Sequence, residues 1–142
     1  MSDKEPYQPD NIFAKILRGE IPCHRVFEDD TALAFLDILP QADGHTLVIP
    51  KLAVRGLFDM PDDAWGPFMQ RVQKVASAVK KAMGAEGINL RQFDGAAGGQ
   101  TVFHLHVHII PRWEGVALRR HGELMEKPDI LKANAEKIRA AL

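Results

Sequence analysis

Residues 104–110, His-Leu-His-Val-His-Ile-Ile, impose a period of two on any fold that holds them. In an extended strand successive side chains leave opposite faces. His104, His106 and His108 would then share one face, and Leu105, Val107 and Ile109 the other. The β-branched content supports a strand. Three of the chain's 6 histidines lie in this stretch. They form a row of imidazoles spaced roughly 7 Å apart. Such a row suits a nucleophile with proton-transfer partners, or a metal site.

The rest of the chain bounds what such a row can serve. A length of 142 residues fits one domain with its own core. Charged residues make up 26% and the net charge is -1, which gives no support for long nucleic acid or an anionic membrane as partner. The one cysteine, Cys23, excludes an internal disulfide and reads as a small packed residue in a reducing compartment. The first ten residues are polar and lack the apolar core of a secretory signal. No apolar run approaches a membrane span. The expected location is cytoplasmic.

Residues 1–10 read as a loose N-terminus. Asn11 can cap a short helix that reaches about Arg18, with Ile12, Phe13, Ile16 and Leu17 on its inner side, and Gly19 ends it. Strand-like runs follow at 24–28, 31–37 and 45–49. Trp65, Phe68, Met69, Val72, Val75, Ala76, Val79 and Met83 recur at helical spacing and predict a long core-facing helix. Pro67 belongs in a first turn, which places the start near Gly66. A strand at 89–93, the segment 94–100, the histidine strand, an irregular stretch at 113–127 and a last helix from about Ile130 complete the chain. Consecutive strands around one long helix predict an α+β fold with a mainly antiparallel sheet.

Gly98 and Gly99 let backbone approach a ligand, and successive N–H groups in a glycine turn can cradle an anion. Gln100 and Thr101 add side-chain donors. A phosphate held there would face the imidazoles. A neutral imidazole can attack phosphorus when one nitrogen is unprotonated and the other is held as N–H by an acceptor, and a neighbouring histidine can act as general acid.

The run from Phe103 to Arg112 resembles the signature of the histidine triad (HIT) family of nucleotidyl hydrolases and transferases. Ile12-Phe13-Ala14-Lys15-Ile16, Gly19-Glu20-Ile21-Pro22, Ala34-Phe35-Leu36-Asp37-Ile38, the segment from Gly44 to Lys51, and Gly98-Gly99-Gln100-Thr101-Val102 resemble the family's other segments. The likeness spans roughly residues 11–115 as one HIT domain, with 116–142 a C-terminal extension carrying a helix, and favours the Hint-like branch.

The resemblance implies a five-stranded antiparallel sheet with two principal helices plus a C-terminal helix, and a homodimer with a continuous ten-stranded sheet. It implies hydrolysis at the α-phosphorus of nucleoside phosphoramidates or dinucleoside polyphosphates. His106 would be the nucleophile, forming a nucleotidyl-histidine. His108 would contact phosphate, and His104 with His45 would support the site and proton movement. Asp37 would bind the ribose hydroxyls. Ile12, Phe13, Ile21, Phe35 and Ile38 would hold the base, and Gly99, Gln100 and Thr101 the phosphate. The implied partner is a purine nucleotide-type small molecule, with no cofactor and no metal.

Two departures stand out. Phe93 replaces a common Asn, which suggests altered substrate choice or weaker catalysis. Asn11-Ile12-Phe13-Ala14 replaces the C-I-F-C with which some bacterial relatives bind structural zinc, so His45 and His104 alone should not hold zinc tightly. Two alternatives remain open: a nucleotide- or partner-binding HIT module with little catalysis, and a three-histidine metal hydrolase. The second is disfavoured because the outer imidazoles of a flat strand stand roughly 13 Å apart. His24 and His121 lie outside the pattern and receive no role.

Overall fold

The computed structural model describes residues 5–142, and the expectation for residues 1–4 lies outside them. Strands β1 (Arg25–Glu28), β2 (Ala32–Leu36), β3 (Thr46–Pro50), β4 (Gly87–Arg91) and β5 (Val107–Arg112) form one sheet in the order β1-β2-β3-β5-β4. Every neighbouring pair is antiparallel. Helices α1 (Ile12–Leu17), α2 (Asp62–Ala82) and α3 (Pro128–Ala140) complete the expected α+β fold.

Each face of the sheet carries its own core. Ala32, Ala34, Leu36, Val48, Val107 and Ile109 face α2 and α3, meeting Phe68, Val72, Val75, Val79, Leu131 and Ile138. Leu33, Phe35, Leu47 and Ile49 face the other way and pack with Phe13 of α1. Both faces are covered, so β2 and β3 are buried at every position and read as unbroken apolar runs. Burying each of the larger side chains contributes roughly 1.5–3 kcal/mol. Arg139 fastens α3 to β1 by donating to the Arg25 carbonyl.

The start of α1 follows the sequence reading. Asn11 Oδ1 accepts from the Ala14 N–H at 2.9 Å, and Gly19 leaves the helix at φ 77°. The start of α2 does not: the helix begins at Asp62, and Pro67 lies inside it. Asp62 and Asp63 favour that earlier start by placing negative charge in the first turn. Met69, expected in the core stripe, is 38% exposed, while Ala78 is buried.

The histidine segment also departs from expectation. Regular pairing begins only at Val107, so His104 and His106 precede β5. There the Leu105 N–H leaves the ladder and donates to the Val54 carbonyl at 2.9 Å. The alternation nevertheless survives. Leu105, Val107 and Ile109 enter the α2-side core, and His108 pairs in register with Leu47 of the opposite face.

Candidate active site

His106 is buried against α1, its ring 4.9 Å from that of Phe13. Its Nδ1 lies 2.7 Å from the His104 carbonyl. A carbonyl only accepts, so Nδ1 carries the hydrogen and Nε2 of the neutral ring is a free lone pair. Burial lowers the His106 pKa from 6.5, outweighing the carbonyl bond that raises it. The neutral ring is therefore favoured at neutral pH, with its tautomer set by its own backbone.

His104 is held at both nitrogens. Nε2 donates to the Pro50 carbonyl at 2.8 Å, and Nδ1 accepts from the Tyr7 hydroxyl at 2.6 Å. Residues 5–10 form no helix or strand, yet Tyr7 is half-buried and ties this segment to the histidine run. His104 does not line the cleft; it positions the carbonyl that orients His106.

His45 and His108 form a second relay. The Gln41 N–H donates to His45 Nδ1 at 3.0 Å, which places the His45 hydrogen on Nε2. That hydrogen meets His108 Nδ1 at 2.9 Å. Nδ1 of His108 is thereby an acceptor, and its N–H is Nε2, left for the cleft that His108 lines. Burial, ahead of neighbouring positive charge, pushes His45 and His108 down to about 3; burial likewise takes His104 to about 4. Burial thus favours the neutral form of these imidazoles, in which His45 donates through Nε2 and His108 keeps its hydrogen on Nε2.

The cleft is about 440 Å³, within the range of small-molecule sites. Ile12, Phe13, Ile21, Phe35 and Ile38 line it as expected, together with Asp37, Thr101, His106 and His108. Asp37 is only 12% exposed at its side chain, and burial raises its carboxyl pKa from 3.8. Oδ1 accepts from the Leu39 N–H at 2.9 Å, while Oδ2 faces the cleft side, 3.6 Å from His45 Nε2. Cys23 also lines the cleft, but burial pushes its thiol up from 9.0 and keeps it protonated.

The glycine loop differs from expectation. The N–H groups of Gly98, Gly99 and Gln100 turn inward to Gly95, Ala96 and Gly95 carbonyls. The Gln100 side chain is buried: Oε1 accepts from Gly95, and Nε2 donates to the Arg55 and Val102 carbonyls. Its hydrogens are committed, so Gln100 fixes the loop and does not face a phosphate. Gly99, at φ 98°, supplies the left-handed turn instead of a donor. Thr101 remains at the cleft wall. Phe93 packs edge-on against His108, ring centroids 5.6 Å apart, and beside Gly99.

Sequence reasoning missed two residues. Tyr7 lay in the supposed loose terminus. His121 lay in irregular chain, yet its ring is 5.6 Å from that of His108 and its Nε2 is 3.8 Å from Asp37 Oδ2. Neither sits in a local pattern that could have announced it.

Structural zinc does not fit the opening helix. Asn11 is used as a cap, Ala14 offers no ligand, and both His104 nitrogens are engaged. Asp37, His45 and His108 do bring ligand atoms within 4.8 Å of one another. For His45 Nε2 to bind an ion as a neutral ring, the hydrogen would move to Nδ1 and oppose the Gln41 N–H. The hydrogen bonds suit a relay and not a ligand set.

An α+β sheet carrying a backbone-oriented imidazole beside an apolar cleft with a buried carboxylate defines the class. Residues 18–115 match the family model described as HIT domain. The chain belongs to the HIT family. It is similar to the crystal structure of a Hit-like protein from Bartonella henselae, with 54% identity and a TM-score of 0.93 over 97% of this chain and 100% of that one. It is 41% identical over 126 residues to Adenylylsulfatase HINT3 of Arabidopsis thaliana, covering 84% of this chain and 64% of that protein, less than two thirds of its length. Adenosine 5'-monophosphoramidase hnt1 of Schizosaccharomyces pombe is 42% identical over 101 residues, 71% of this chain and 73% of that protein.

Proposed function

We propose that this protein is a nucleotidyl hydrolase that cleaves at the α-phosphorus of a purine nucleotide, in nucleoside phosphoramidates or dinucleoside polyphosphates. One observation carries the reading: the His104 carbonyl holds His106 Nδ1–H, leaving Nε2 unprotonated in a cleft that also holds Asp37. The names of the Arabidopsis and fission-yeast relatives support a nucleotide substrate.

In the first step the His106 Nε2 lone pair bonds to phosphorus, and the bond to the leaving group breaks with its electron pair. The Nε2–H of His108 donates to the phosphate oxygens, where charge builds. A phosphate leaving group departs as an anion, and an amine leaves after taking a proton from solvent. Water then attacks phosphorus, loses its proton and displaces neutral His106. Asp37 accepts from the ribose, and the apolar cleft between Phe13, Phe35 and Ile38 takes the base.

Mass spectrometry of protein quenched during turnover of adenosine 5'-phosphoramidate and diadenosine polyphosphates tests the reading. An adenylyl adduct on His106 is expected; turnover with the adduct on another residue would overturn it. A second reading, a binding module with little turnover, is favoured by Phe93, whose ring occupies the flank of His108. It predicts micromolar nucleotide binding without product. The homodimer joins this proposal: β4 is an open edge, with Leu90 49% exposed. Sedimentation velocity should give twice the chain mass.

A further inference from the structure

The segment after β5 bends back over the cleft and is fastened there. The Arg119 N–H donates to the Gln41 carbonyl at 2.8 Å, and the Gln41 amide returns a bond to the Arg119 carbonyl at 3.3 Å. The Arg119 guanidinium meets Asp43 at 2.7 Å and Glu126 at 3.5 Å. The Glu126 N–H donates to the Ile38 carbonyl at 2.9 Å, next to Asp37. These bonds bracket His121, whose ring reaches the cleft wall. Gln41 also holds His45, so one residue anchors both the strap and the relay.

We infer that His121 is a substrate-binding residue that, together with Asp37, recognises the hydroxyls of a ribose. This rests on the nucleotide reading above and deepens it. Asp37 Oδ1 is engaged by Leu39, so Oδ2 is the oxygen best placed for substrate. His121 Nε2 stands 3.8 Å from Oδ2. That gap exceeds a hydrogen bond, yet a hydroxyl about 2.8 Å from each atom fits between them. It would donate to the carboxylate and accept from the imidazole N–H. The second hydroxyl of a vicinal diol then lies within reach of the same pair. A lone carboxylate accepts from any O–H or N–H donor; a carboxylate and an imidazole N–H at this spacing select a group that both donates and accepts, as a hydroxyl does and an ammonium does not. The His121 side chain is 45% exposed without substrate, leaving room for a sugar to enter beside it.

The test compares AMP with 2',3'-dideoxy-AMP by calorimetry, on wild type, His121→Ala and His121→Gln, with AMP phosphoramidate hydrolysis measured separately. Replacing His121 by Ala should weaken AMP about tenfold, the weight of one hydrogen bond. The dideoxy nucleotide should bind both proteins equally. Gln, which keeps a donor, should recover part of the loss. Equal weakening of both ligands, or none, would overturn the inference, as would wild type that binds neither. Ribose discrimination that depends on His121 in a protein that hydrolyses nothing would sink the catalytic reading alone.

Discussion

One backbone atom, the carbonyl of His104, fixes the tautomer of His106, on which its proposed role as nucleophile depends. Replacing His106 by Ala should abolish turnover while circular dichroism stays native; retained turnover would refute the nucleophile. Because burial lowers the His106 pKa from 6.5, the neutral ring predominates at that pH. The acid limb of the kcat/KM profile should therefore have its midpoint below pH 6.5. A midpoint at or above 6.5 would contradict this. Tyr7 acts one step further out. Tyr7→Phe leaves His104 Nδ1 without its donor, so about 1 kcal/mol of stability should go, read from urea unfolding. Phe93→Asn removes the ring packed on His108 and should change the relative rates on a nucleotide panel; identical rates would make Phe93 merely a packing residue.

At the scale of elements, α2 carries the sharpest conflict between local rule and outcome. Pro67 sits inside the helix, where it offers no N–H and its ring crowds the preceding turn. An interior proline costs about 3 kcal/mol in a helix. It returns up to about 1 kcal/mol by restricting the unfolded chain. Pro67→Ala should therefore stabilise the protein by roughly 2–3 kcal/mol, as a higher urea midpoint at unchanged slope. A lower midpoint would mean that the proline ring matters to packing. Phe68, Val72, Val75 and Val79, fully buried against the sheet, explain why the helix tolerates the defect. The late start of β5 is the opposite case. Its alternation was legible, but the bond from Leu105 to Val54 lies far away in sequence and could not be read from the local pattern.

For the molecule as a whole, four buried neutral histidines link stability to pH. Burial lowers their pKa values from 6.5, to about 3 for His45 and His108 and about 4 for His104, with His106 lowered as well. Below pH 6.5 the unfolded chain binds protons that the folded one does not, so stability falls with pH until the folded values are reached. Each histidine contributes a slope of about 1 kcal/mol per pH unit. Melting temperature should drop steeply between pH 6.5 and 4.5, and the drop should shrink in His45→Gln. A flat profile would mean that these rings accept charge in the fold.

Apolar periodicity and the His-x-His-x-His spacing by themselves determined the α+β class, the opening helix and the two-faced histidine segment, because each is a local pattern; the residues that line the cleft are named only through the resemblance to the HIT family. Tertiary structure alone decided the strand order, which brings His45 against His108 across 63 residues. It also decided that Gln100 is buried beneath the loop, and that Tyr7 and His121 join the site from the two ends of the chain. The physical reason is common to all of these. A tautomer, a lowered pKa or the 3.8 Å spacing of Asp37 and His121 depends on which atoms face each other in space, and that is fixed only when distant segments pack.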